Sequence, residues 1–195
     1  MTIRNDIQGL RAIAVLAVII FHIDKSWLPG GFLGVDVFFV ISGFIISNLI
    51  FIKHETENFS LKEFYLSRLK RILPAYLALL TVVSILAAIV YIPSDFSSYL
   101  SSLRSALTFT SNNYFSHYYD YFGPQAYELP LLHTWSLAIE IQYYLLAPII
   151  LISMPRSWRL PATLTLVVIF TIHASYQLHY KCKPYNLLLI TSTHT

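Results

Sequence analysis

Five stretches of this chain stay apolar for close to the roughly 20 residues that a helix needs to cross the hydrocarbon core of a bilayer. They cover about 8–25, 35–52, 72–92, 137–154 and 161–178. In lipid every backbone polar group must be satisfied internally, so segments of this length and composition are helices. The expected fold is an all-α integral membrane protein, a bundle of about five transmembrane helices. Composition agrees: 56% of the 195 residues are hydrophobic, 15% aromatic and only 12% charged, far from the balance of a soluble domain.

The first apolar run, Ala12 to Phe21, has the length of a signal-peptide core. No small-x-small cleavage site follows it, and Asp6 stands where a cationic leader belongs, so it reads as a span. A net charge of +3 does not point to nucleic acid, because Lys and Arg are not clustered with interleaved aromatics. The single cysteine, Cys182, cannot form an internal disulfide. No metal-ligand spacing, phosphate loop, dinucleotide fingerprint or internal repeat is present.

Topology follows from the cations. With the N-terminus inside, Arg4, Arg11, Lys53, Lys62, Arg68, Lys70, Arg71, Arg156 and Arg159 are cytoplasmic, nine of thirteen. The segment over about 93–136 is then external. Within it Ser97–Thr110 is expected to form a short interfacial helix, and Phe122, Gly123 and Pro124 a turn.

Ionisable groups at membrane depth are costly and mark sites by default. Arg11 and His22 are eleven positions apart, so they share a helix face with roughly 16 Å between them along the axis. Either they form a functional stripe, or Arg11 snorkels to lipid phosphates and His22 marks a helix end. Asp36, close to His22 in depth, either accepts from an imidazole or answers the dipole of its own helix. Gly43 and Ser47 fit close helix packing. Arg68 and Arg71, three apart, suit a phosphate clamp or, with Lys70, merely an inner-interface cluster; Pro74 is expected in the first turns of its helix. In HTWSLAIEIQYYLLAP, His133 and Trp135 are interfacial, while Ser136, Glu140 and Tyr143 share a face. A carboxylate at that depth is neutral or partnered, a histidine being the expected partner. Gln142 points away from the stripe, toward a neighbouring helix.

Four blocks, IQGLRAIAVLAVIIFH, GGFLGVDVFFVISGFIIS, YLSRLKRILPAY and LLHTWSLAIEIQYYLLAP, occur in the order and spacing of the membrane acyltransferase family three. The chain resembles this family, the O-acyltransferases of bacterial surface sugars. Its usual Ser-Leu-Ser-Val-Glu-Glu-Gln-Phe-Tyr is altered here: Ala138 replaces the second serine and Ile141 the second glutamate, while Glu140 is retained. Family members run to about ten spans of the usual length, so the resemblance implies half of a roughly ten-helix acyltransferase fold, an N-terminal fragment.

The resemblance further implies an enzyme that transfers an acyl group, acetyl foremost, from acyl-CoA to a hydroxyl of a carbohydrate or glycolipid acceptor such as lipopolysaccharide O-antigen. His22 matches the family's essential histidine and is the implied general base, with Asp36 or Glu140 orienting it. Arg11 matches the essential arginine and Arg68 and Arg71 the cytoplasmic Arg-x-x-Arg pattern, which together hold the donor. No metal is implied, and the expected location is the bacterial inner membrane, in contact with lipid. Two other readings stand beside this one: an inactive truncated product, and a transporter or binding protein using the same buried polar residues.

Overall fold

The computed structural model describes residues 5–118 and 129–181, and the described residues contain helices and no strand. The order is α1 (Asn5–Ile23), a 3₁₀ turn (Gly31–Leu33), α2 (Gly34–Glu55), α3 (Leu61–Val90), α4 (Pro93–Leu107), α5 (Ser111–Tyr118), α6 (Thr134–Ser153) and α7 (Arg156–Lys181). Four segments are long and apolar enough to cross a membrane: Asp6–Ile23, Gly31–Glu55, Leu61–Val90 and Thr134–Ser153. The expected fifth span coincides with α7. It belongs to a second compact unit, Ser153–Thr195, and its side chains at 174 and 177–181 lie outside the described residues. The turn expected at Phe122–Pro124 and Cys182 also lie outside them. The remainder of this section concerns the first unit, Met1–Ile152.

Helix ends follow local chemistry. The third span was expected to open near residue 72, but α3 begins at Leu61, three turns earlier. Ser60 and Glu63 have the spacing of a capping box, and the Ser60 hydroxyl accepts from the Glu63 N–H at 3.4 Å. Arg68, Lys70 and Arg71 are thereby helical, and Pro74 sits inside the helix rather than in its first turns. At the end of α2, Glu57 adopts φ 54° while the Asn58 N–H reaches the Lys53 carbonyl and the Glu57 N–H that of His54. This is a Schellman closure without glycine. The same closure ends α4 at Phe109, φ 53°, through Thr110 to Ser105 and Phe109 to Ala106. For a bulky residue that backbone is strained. It is held from outside: Gln142 Nε2 donates to the Phe109 carbonyl at 2.9 Å, and the Phe109 ring stacks on Tyr76 at 5.4 Å.

Two apolar clusters hold the unit together. One joins Tyr76, Leu80 and Ala87 of α3 to Tyr99 and Ala106 of α4, Phe115 of α5, and Leu131 and Leu132 ahead of α6. The interfacial helix expected at Ser97–Thr110 is α4, starting earlier at Pro93, and its inward face makes this cluster. The other joins Ile46 and Ile50 of α2 to Phe64 of α3 and Tyr144 and Ala147 of α6. Many large apolar side chains stay on the outside, Val40 at 74% and Ile89 at 76% exposure among them, as befits helices whose solvent is hydrocarbon.

The closest contact in the bundle joins α1 to the start of α2. A Cβ on Gly34 would stand 2.3 Å from the Ala14 carbonyl oxygen, and one on Gly31 2.4 Å from that of Ala17. Gly43, where sequence suggested close packing, has only the Tyr143 hydroxyl within reach of a Cβ, at 3.9 Å. Lipid supplies no hydrophobic drive between helices, so this fit carries the association. Gly34→Ala should therefore lower stability by about 1–3 kcal/mol through overpacking, whereas Gly43→Ala should be close to neutral. Thermal unfolding in detergent micelles checks the pair, and equal effects at the two sites would contradict the packing argument.

Candidate active site

His22 lies in the last turn of α1, with its Nδ1 2.8 Å from the carbonyl oxygen of Val18. A carbonyl only accepts, so Nδ1 carries the proton and the neutral ring keeps its lone pair on Nε2. One α-helical turn of backbone thus fixes the tautomer that a general base needs. The imidazole also meets two rings near perpendicularly, Phe21 at 5.4 Å and His133 at 4.8 Å between centroids. Asp36, expected as a partner of the imidazole, makes no hydrogen bond to it among the described residues. It stands in the first turn of α2, where the helix dipole favours a carboxylate.

A second polar group gathers deeper in the bundle. The Arg11 guanidinium lies 4.8 Å over the Phe38 ring, and that of Arg68 lies 5.6 Å and 5.9 Å from the rings of Phe64 and Tyr144. Glu140 accepts a hydrogen bond from the Tyr144 hydroxyl, one turn further along α6. Tyr144 lies within electrostatic reach of Glu140, Arg68 and Arg11, and Arg68 also senses Arg71. Glu140 is therefore partnered, but by a tyrosine rather than the expected histidine. No ion pair joins it to either arginine, and the Nε atoms of both Arg11 and Arg68 are buried without a hydrogen-bond acceptor. A buried donor left in this state costs about 1–3 kcal/mol. A bound anion that accepted from these N–H groups would remove that cost.

A groove links the two groups. One lobe, about 380 Å³, is lined by Val18, Ile19, His22, Val35, His133 and Trp135 among others. The other, about 220 Å³, is lined by Ala14, Val18, Gly34, Phe38, Leu137 and Glu140 among others. Val18, Ile19, Val35 and Ser136 belong to both, so the lobes adjoin, and the lining between imidazole and carboxylate is almost wholly apolar.

Of the expected site residues, Arg11, Arg68, Arg71 and Glu140 are brought together, while His22 stands apart at the far end of the groove. Tyr143 does not share Glu140's surroundings: its hydroxyl bonds Ser47 at 2.8 Å and the Gly43 carbonyl at 3.3 Å. Gln142 does reach a neighbouring element, exchanging hydrogen bonds with Asn112 at 3.3 and 3.0 Å. Sequence reading missed the roles of Tyr144 and His133. The i, i+4 spacing from Glu140 to Tyr144 was an available signal for the first, and nothing local signals the second.

Partial desolvation pushes the His133 imidazole below the ordinary histidine range, and the charge of His22 adds to the effect. Well above about pH 6.5 both folded and unfolded chains hold this ring neutral. As pH falls through that value the unfolded chain takes up the proton first, so stability declines on acidification. In detergent the melting temperature should therefore fall more between pH 7.5 and 5.5 for the unsubstituted chain than for His133→Phe. Parallel pH profiles would remove His133 from the account.

The profile of the family described as "Acyltransferase domain" matches residues 4–191. O-acetyltransferase OatA of Staphylococcus aureus strain NCTC 8325 is 44% identical over 147 residues, 74% of this chain and 24% of the relative. OatA of strain COL matches to the same extent. The chain thus spans about a quarter of the length of these relatives. No solved structure matches it. With the family's profile covering nearly all its length, this chain belongs to the acyltransferase-domain family.

Proposed function

We propose that this chain supplies the donor-binding arginines and the general base of an integral membrane O-acyltransferase. The acyl group, acetyl foremost, passes from acyl-CoA to a hydroxyl of a cell-surface carbohydrate such as lipopolysaccharide O-antigen. The observation that carries the reading is a groove with His22 Nε2 at one end and Glu140 at the other, beside which Arg11 and Arg68 stand against Phe38 and Tyr144 with buried Nε atoms that lack acceptors. The name O-acetyltransferase borne by the relatives supports acetyl as the group transferred.

The location proposed is the bacterial plasma membrane with the N-terminus in the cytoplasm, on the strength of the nine cations assigned to that side. Arg11, Arg68 and Arg71 then meet the donor's phosphates from the cytosolic side. Planar guanidiniums suit phosphate oxygens because they offer paired N–H donors. The donor contributes a thioester carbonyl. His22 Nε2 takes the proton of the acceptor hydroxyl as its oxygen attacks that carbonyl. The carbon–sulfur bond breaks and the thiolate leaves, receiving the proton from Nε2. Glu140 acts on the arginines rather than on the base, since its bond goes to Tyr144 and its charge is felt by Arg68. Asp36 follows Val35, which lines the lobe of His22, and it stands in the first turn of α2, where the helix dipole holds its charge.

In membranes carrying the intact protein, His22→Ala should reduce transfer from radiolabelled acetyl-CoA by at least about 10²-fold. Activity within a few-fold of the unsubstituted protein would overturn the assignment. Arg68→Ala combined with Arg71→Ala should raise the KM for acetyl-CoA by about tenfold or more, and Arg68→Lys should restore only part of it. An unchanged dependence on donor concentration would return these arginines to a purely topological role.

A further inference from the structure

The base of an acyl transfer has to point its lone pair at one place, yet His22 is poorly anchored by its own helix. It is the penultimate residue of α1, where helices fray. Among the described residues its one hydrogen bond runs to Val18 of the same helix, and Phe21, the first ring against it, is its chain neighbour. These two restraints move with the end of α1. The contact that comes from elsewhere in the fold is His133, 4.8 Å away with its ring plane at 81°.

His133 stands on a rigid support. Leu131, Leu132 and Thr134 around it are 1%, 2% and 6% exposed. The Leu132, Thr134 and Trp135 N–H groups bond the carbonyls of Leu129, Leu131 and Leu132 at 3.0–3.1 Å. Thr134 Oγ1 closes the same turn on Leu131 at 2.7 Å, and Trp135 packs on Phe39 of α2 with ring centroids 6.2 Å apart. Both imidazoles line the 380 Å³ lobe, so neither is simply filling core.

We propose that His133 is a positioning residue: its ring, perpendicular to that of His22 and fixed to the start of α6, sets the plane in which the His22 imidazole presents Nε2 to the acceptor hydroxyl. The inference rests on the acyltransferase reading for its kinetic test and stands without it for its chemical one. Misplacing a catalytic group by an ångström costs about 10²-fold, while a ring that restores the perpendicular contact recovers most of the loss. Aromatic pairs prefer this geometry with or without a titrating nitrogen.

Three variants in the intact protein separate orientation from proton transfer. His133→Ala should lower kcat by about 10- to 100-fold with KM for acetyl-CoA within about twofold. His133→Phe should recover kcat to within about fivefold of the unsubstituted protein, and His133→Asn should not. A loss confined to KM, no loss in His133→Ala, or rescue by asparagine but not phenylalanine would each overturn the proposal. Diethyl pyrocarbonate labelling of His22, read by mass spectrometry, needs no activity. The labelling rate should rise several-fold in His133→Ala and return in His133→Phe, and equal rates in all three proteins would also overturn it. If no protein transfers acetyl but the labelling pattern holds, the functional reading fails and the positioning contact stands.

Discussion

The approach of Gly31 and Gly34 to the backbone of α1 sets the position of the groups that α1 and α2 bring to the site. Ala14 and Ala17 offer carbonyls, not side chains, to the start of α2, and only hydrogen on the facing residues leaves room. Through this contact α1 and α2 lie antiparallel with Arg11 opposite Phe38. Val18 and Val35 then become common walls of both lobes of the groove. Hydrocarbon competes equally well for any apolar helix face, so a registry this exact has to come from shape. A one-residue slip between the two helices would carry Arg11 off its aromatic face and His22 away from the groove.

The aromatic faces answer only half of what a guanidinium in a membrane requires. An arginine at the centre of a span costs about 2.5–3.5 kcal/mol on insertion scales, and a desolvated cation–π contact returns about 2 kcal/mol. Phe38 under Arg11, and Phe64 and Tyr144 beside Arg68, therefore make these residues tolerable without satisfying their N–H groups. Glu140 would be the obvious acceptor, yet its hydrogen bond comes from Tyr144 and neither arginine reaches it. The arrangement keeps the arginines in place with their Nε donors unused.

Sequence pattern revealed the spans because hydropathy integrates over some 20 residues, and it revealed the ionisable groups because lipid makes them conspicuous. It placed the start of α3 too late because a Ser60–Glu63 cap followed by Arg68, Lys70 and Arg71 looks like a loop to a hydropathy count. It put Tyr143, not Tyr144, on the face of Glu140 because both lie near it on a helical wheel. The tie is broken by α2, which holds Tyr143 through Ser47 and Gly43. It singled out Gly43 for packing because a small residue in mid-span is a visible motif, whereas Gly31 and Gly34 stand at a helix start, where glycine attracts no notice. The contact between His22 and His133 joins residues more than a hundred positions apart, and no local rule reaches that far.

The two departures from the family pattern in α6 make sense against this packing. Ile141, in the place of a second glutamate, packs on the cluster of Ile46, Ile50, Phe64, Tyr144 and Ala147. A carboxylate there would face that apolar cluster at a cost of several kcal/mol. Ala138, in the place of a serine, is 1% exposed, and a hydroxyl would need an acceptor at that point. With both positions apolar, Glu140 is the single negative group facing the groove from α6, and the wall from there to His22 carries no charge. Arg11 and His22 are separated by roughly 16 Å of helix. The lining of the groove along this face of α1 is therefore apolar apart from Ser136 and the groups at its two ends.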